Sequence, residues 1–108
     1  MARIPKELVA PFQVAGADAL IYTVPAATKT VVRYIHISNP TGTARTLFLS
    51  KGADAAGNRI YDGFTIAAGT VRDDFCYHVM EAGGTLRAHA DAGAALVLTI
   101  NGDEIILG

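Results

Sequence analysis

From Ala19 onward the chain is a succession of short runs rich in β-branched and aromatic residues, each closed by Gly, Pro, Asn or Asp. This punctuation constrains the fold more than any other feature. Side chains alternate between the two faces of a strand, so a run with period two reads as a half-buried strand. No window of about 11 residues carries the 3.6-residue period of an amphipathic helix.

The runs can be taken in order. In Ala19 to Val24, Leu20, Tyr22 and Val24 share a face, and Pro25 ends the run. Thr30 to Asn39 is the strongest run, dense in residues that fit a pleated surface. Its expected core face carries Val31, Ile35 and Ile37, which obliges Arg33 to reach a sheet end or a partner. Val32, Tyr34, His36 and Ser38 then lie on the opposite face. Asn39-Pro40-Thr41-Gly42 is a turn, since Pro presets φ and Gly accepts positive φ. Arg45 to Lys51 turns Leu47 and Leu49 inward and Phe48 outward.

Gly52 to Asn58 is a loop with nothing large to bury. Arg59 to Ala67 is interrupted at Asp62-Gly63, by either a bulge or a second turn. In Thr70 to Met80, Val71, Phe75, Tyr77 and Val79 share a face with Asp73. Thr85 to Ala90 turns Leu86, Ala88 and Ala90 inward, and Ala94 to Ile100 adds Leu96, Leu98 and Ile100. Asn101-Gly102 is the strongest short hairpin signal, because a type I′ turn needs positive φ at both central residues. Asp103 to Leu107 then closes the sheet. The fold class is all-β: a single-domain antiparallel β-sandwich or jelly roll of about eight short strands. Residues 1–11 read as a short N-terminal arm and 12–108 as the sandwich domain.

A chain of 108 residues suits one hydrophobic core. That core rests on about 25 Val, Ile and Leu residues, because alanine inflates the 51% hydrophobic fraction without much burial. Cys76 is the one cysteine, so no intrachain disulfide can form, and three scattered histidines fall short of a paired zinc motif. No metal and no cofactor are expected.

Nine Lys and Arg balance ten Asp and Glu, and the pI of 6.2 does not suit a nucleic-acid binder. At 18% charged residues the chain falls below the usual share of about 25%. Much neutral surface would then be exposed unless copies or partners cover it, which favours a homo-oligomer. No stretch approaches the roughly 18 apolar residues of a membrane span. Met1 to Pro11 lacks the apolar segment of a secretion signal, so synthesis and folding in a cytoplasm are expected.

Candidate chemistry is sparse. Asp73-Asp74 is the one adjacent carboxylate pair, and neighbours on a strand point to opposite faces, which prevents joint acid–base work. A Cys76–His78–His89 cluster is conceivable as a metal or nucleophile site, against a small buried thiol beside partly exposed histidines. The bland reading is preferred. Gly52 to Asn58 lacks the alternating oxygen ligands and terminal Glu of a calcium loop. Gly83-Gly84 precedes a strand, so it cannot cradle phosphate at a helix start. The chain is not expected to be an enzyme.

Outward aromatics are the better binding candidates: Tyr34, Phe48 and Tyr61. Their alternative is a second core face.

The segments Tyr22 to Ala26 and Thr30 to Asn39 fit the pattern Y-T-V-P-A-x-x-x-T-x-V-x-x-I-H-I-x-N. With Ala82 to Ala88 and Leu98 to Ile105, they resemble a group of small structural proteins of tailed bacteriophages. Gly84 stands where that group usually has Asp, in a turn. The resemblance covers nearly the whole chain and implies a non-enzymatic virion protein. It implies a capsid decoration (cement) protein, often trimeric, or a tail accessory protein, with a major capsid or tail protein as partner. An N-terminal arm could then anchor on a neighbour through Ile4, Leu8 and Val9. A carbohydrate- or receptor-binding module using Tyr34, Phe48 or Tyr61 is the competing reading from another class.

Overall fold

The computed structural model describes residues 2–107. Eight strands are present: β1 (Ala2–Gln13), β2 (Ala19–Thr23), β3 (Thr28–Ser38), β4 (Arg45–Lys51), β5 (Arg59–Ile66), β6 (Val71–Met80), β7 (Thr85–Ala90) and β8 (Val97–Ile106). One turn of 3-10 helix, Ala56–Asn58, precedes β5. The strands form two four-stranded antiparallel sheets, ordered β1-β8-β3-β6 and β2-β7-β4-β5.

The pairs β4·β5, β3·β6, β2·β7 and β1·β8 nest inside one another like a long hairpin, and β3·β8 and β4·β7 join it to itself. A rolled hairpin of this kind is a jelly roll. The molecule is elongated, 48 × 24 × 18 Å.

Leu47, Leu49, Leu86, Ala88, Ala90, Leu96, Leu98 and Ile100 fill the space between the sheets, as their alternation requires. Asp62-Gly63 is a bulge and not a turn: Gly63 takes φ +73, and the β4–β5 register slips between Leu47 and Phe48.

Three expectations need correction. The stretch read as an arm, residues 1–11, is strand from Ala2 onward: its described residues belong to β1, an edge strand paired with β8 from Ala2↔Ile106 to Gln13↔Val97. Pro5 and Pro11 are compatible with an edge strand, whose outer amides need no partner.

Asn101-Gly102 is not a hairpin turn; it lies inside the continuous strand β8. There Gly102 serves close packing, since a Cβ would stand 2.0 Å from the Val31 carbonyl oxygen and 2.9 Å from Leu8 Cδ1.

The face of β3 also changes midway. Its register shifts between Val32 and Tyr34 against both neighbours, so Val32 joins Ile35 and Ile37 in the central cluster, while Val31 is buried outside that cluster. The irregularity at Arg33 sends its guanidinium to Asp103, 3.3 Å away.

Candidate interaction surface

β6 is an edge strand whose faces are reversed relative to an ordinary sandwich strand. Its inward positions carry Arg72, Asp74, Cys76 and His78, and its outward positions Val71, Asp73, Phe75, Tyr77 and Val79. The inward polar groups close the gap to β5. Tyr61 donates its hydroxyl to Asp74, the Arg72 guanidinium lies 4.9 Å over the Phe64 ring, and the Cys76 thiol reaches the Val32 carbonyl at 3.7 Å. Burial and the Asp74 charge raise the Tyr61 hydroxyl well above its usual pKa, and burial raises the Cys76 thiol. That thiol stays protonated, which makes it a poor nucleophile.

The outward positions are left to solvent. Phe75 is 86% exposed, Tyr77 67%, Val71 59% and Val79 42%. Scattered apolar residues on a surface need no explanation, but four on one strand face form a contiguous row. On the neighbouring strand Tyr34 packs its ring 5.1 Å from that of Phe75 and donates its hydroxyl to Asp73 at 2.6 Å. Asp73 also pairs with His36 Nδ1, and the Tyr34 and His36 contacts hold its carboxyl below the usual range. The row thus contains one charge, already partnered.

The expected site residues scatter. Ile4 is exposed on β1, whereas Leu8 and Val9 belong to the core and cannot anchor a neighbour, because β1 lies in the sheet. Tyr34 lies on the outer face of the first sheet. Phe48 lies on the outer face of the second, stacked on His89 at 4.6 Å and covered by the Arg59 guanidinium at 5.0 Å. Tyr61 is turned inward against the core. These aromatics therefore share no platform. Phe75 and Tyr77, the most exposed aromatics, were not among them.

The conceivable Cys76–His78–His89 cluster does not form: Cys76 and His78 point inward from β6, and His89 faces outward from β7. Burial, with the nearby Lys51 charge, lowers the His78 pKa. Asp73 and Asp74 point to opposite faces and bind different tyrosines.

One further titratable group lies on the second sheet, where Asp18, Asp54 and His89 bring ligand atoms within 4.8 Å of one another. Both carboxylates are already neutralised, Asp18 by Arg87 at 2.8 Å and Asp54 by Arg59 at 2.9 Å. Two arginines at this distance oppose a cation there. Among the described residues no helix is long and apolar enough to cross a membrane.

No protein-family model matches the sequence, and no curated protein matches it. Solved structures do share the fold. One is a chain of Bacillus endospore appendages, a family of disulfide-linked pili: 14% identical, with 98% of this chain and 89% of that one covered, and a TM-score of 0.56. Another is a chain of the infectious bursal disease virus Gx strain, at 10% identity and TM-score 0.54. That match covers 95% of this chain but 32% of the viral one. At these identities the likeness is one of fold.

Proposed function

We propose that this chain is a non-enzymatic structural protein of a tailed-bacteriophage virion, made in the host cytoplasm, that self-associates and decorates the capsid. The observation that carries the reading is the reversed β6: its apolar residues face out and its polar ones in. A row of this kind suits a protein partner better than a small ligand, because it is an exposed strand face whose one polar cluster, Asp73 with Tyr34 and His36, is already satisfied within the chain.

The phage-like pattern from Tyr22 to Asn39 supports the virion assignment. The fold shared with a pilus chain and a virus chain agrees with a role in assembly. The balanced charge makes a protein surface, and not nucleic acid, the natural partner.

A tail accessory role uses the same surface. A glycan- or receptor-binding module is less well supported, since Tyr34, Phe48 and Tyr61 face three different ways. Cryo-electron microscopy of intact particles, with the chain labelled, tests the reading. Density on the capsid lattice is expected; density on the tail selects the accessory role, and no particle association refutes both.

A further inference from the structure

We propose that β6 is a self-pairing edge: two copies join their β6 strands antiparallel about a two-fold axis, fusing two four-stranded sheets into one of eight. This specifies the self-association in the reading above and rests on it.

The other three sheet edges are blunted by proline, short length or bulges. β1 contains Pro5 and Pro11 and two register irregularities. β2 has five residues with a bulge of its own, and β5 carries the Gly63 bulge. Prolines, short length and bulges are the usual ways of discouraging edge-to-edge pairing. β6 has one register irregularity, where Val32↔His78 gives way to Tyr34↔Phe75, but it runs for ten residues without proline or glycine. Among the described residues no strand but β3 pairs with it. Outside β3, among the described residues only the Lys51 amine reaches its backbone, at the Val79 carbonyl, 3.5 Å away.

The occupant follows from the order of the outward row. Val71-Asp73-Phe75-Tyr77-Val79 reads nearly the same from either end. Residues facing each other across an antiparallel pair lie on the same face of the sheet. Centred on Phe75, the row therefore sets Phe75 against the second copy's Phe75 and Val71 against its Val79. It also sets Asp73, the one charge, against the hydroxyl of Tyr77. A carboxylate offers about four acceptor sites, so Asp73 can keep Tyr34 and His36 and take this donor too.

Sliding by one pair in either direction removes the match. One slip places Val71 opposite Glu81, and the other places Asp74 opposite Asp74. Like charges directly opposite are unfavourable. In the Phe75-centred register Arg72 faces His78, whose lowered pKa keeps it uncharged at neutral pH. A two-fold pairing closes at two copies, not at the three implied by the phage resemblance.

Sedimentation equilibrium on the purified chain should give twice the 11.3 kDa chain mass. Phe75→Lys should give the monomer mass with a nearly unchanged circular-dichroism melt, since the residue is 86% exposed and its aromatic contact inside its own subunit is with Tyr34 on the same surface. Leu20→Lys, at an exposed position on another edge strand, should leave the dimer intact. Facing Cα atoms about 4.5–5.5 Å apart fall within disulfide range. In a Cys76→Ser background, Phe75→Cys should accordingly cross-link the dimer under mild oxidation. A monomeric or trimeric wild-type chain, a dimer that survives Phe75→Lys, or no cross-link at position 75 overturns the proposal. A monomer that still binds particles would overturn this inference alone, whereas a dimer absent from particles would overturn only the virion reading.

Discussion

Gly102 and the two acids that follow it show how much of this fold is decided at single residues. The Val31 carbonyl oxygen occupies the space where a side chain at position 102 would begin, so β3 and β8 approach as closely as they do because that position is glycine. Gly102→Ala must push apart two central strands, and a loss of at least about 3 kcal/mol is expected. Urea denaturation would measure it. Against a usual total of about 5–15 kcal/mol, such a loss removes between about a fifth and more than half of the stability.

Asp103 and Glu104 are buried beside this glycine on opposite faces of β8. Asp103 accepts from Arg3 at 2.6 and 2.9 Å and from Arg33 at 3.3 Å. Glu104 accepts from Tyr22 at 2.7 Å and Lys6 at 3.0 Å. The Arg3 contact holds the first carboxyl below its usual range, the Tyr22 hydroxyl holds down the second, and burial with the Glu104 contact raises Tyr22 to about 12. A depressed folded pKa means that the stabilisation is present above the unfolded value of about 4 and disappears as pH falls through the folded one. The urea midpoint should therefore fall steeply below about pH 4. In an Asp103→Asn, Glu104→Gln double variant that acid dependence should flatten.

At the scale of elements, β1 is the clearest case of a strand that the sequence disguises. It is charged, contains two prolines and has no alternation in burial over its first six residues, because that half extends along β8 with its side chains largely in solvent. Leu8 and Val9 turn into the core, and Phe12 packs against it. A variant beginning at Phe12 would lose both, each contributing about 1.5–3 kcal/mol of burial, and would uncover the backbone of β8. No cooperative thermal transition is expected from it. An unaltered melt by circular dichroism would restore the idea of a dispensable arm.

The strand count is legible because two opposite effects offset each other: the charged, proline-bearing β1 reads as an arm, and the Asn101-Gly102 turn signal divides the single strand β8 in two. Local chemistry marks a glycine as special, but only tertiary contact tells whether it serves a turn or a close approach. The same limit applies to β6. Alternation put Val71, Phe75, Tyr77 and Val79 on one face, and nothing local says which face of an edge strand is inside. By contrast, Leu86, Ala88 and Ala90 lie on a strand between two others, where the apolar face has one place to go.

For the whole molecule, topology sets the kinetics. β1 must find β8 from the far end of the chain, and β2 must find β7, before either contributes burial. Non-local pairing of this kind places folding in the range of milliseconds to seconds. Stopped-flow fluorescence of the tyrosines should show no microsecond phase that accounts for the full amplitude. The charge-poor composition that suggested a covered surface acquires a location here. It corresponds to one strip of one sheet, with the remaining edges closed off and the opposite face of the sandwich carrying the Arg59–Asp54 and Arg87–Asp18 ion pairs.

If β6 pairs as proposed, the two prolines of β1 set a limit on assembly. A building block with a single sticky rim has a valence of one: it can make a dyad, or dock on something larger, and there growth ends. A fibre of repeated copies would require a second rim, and Pro5 and Pro11 stand where that rim would be.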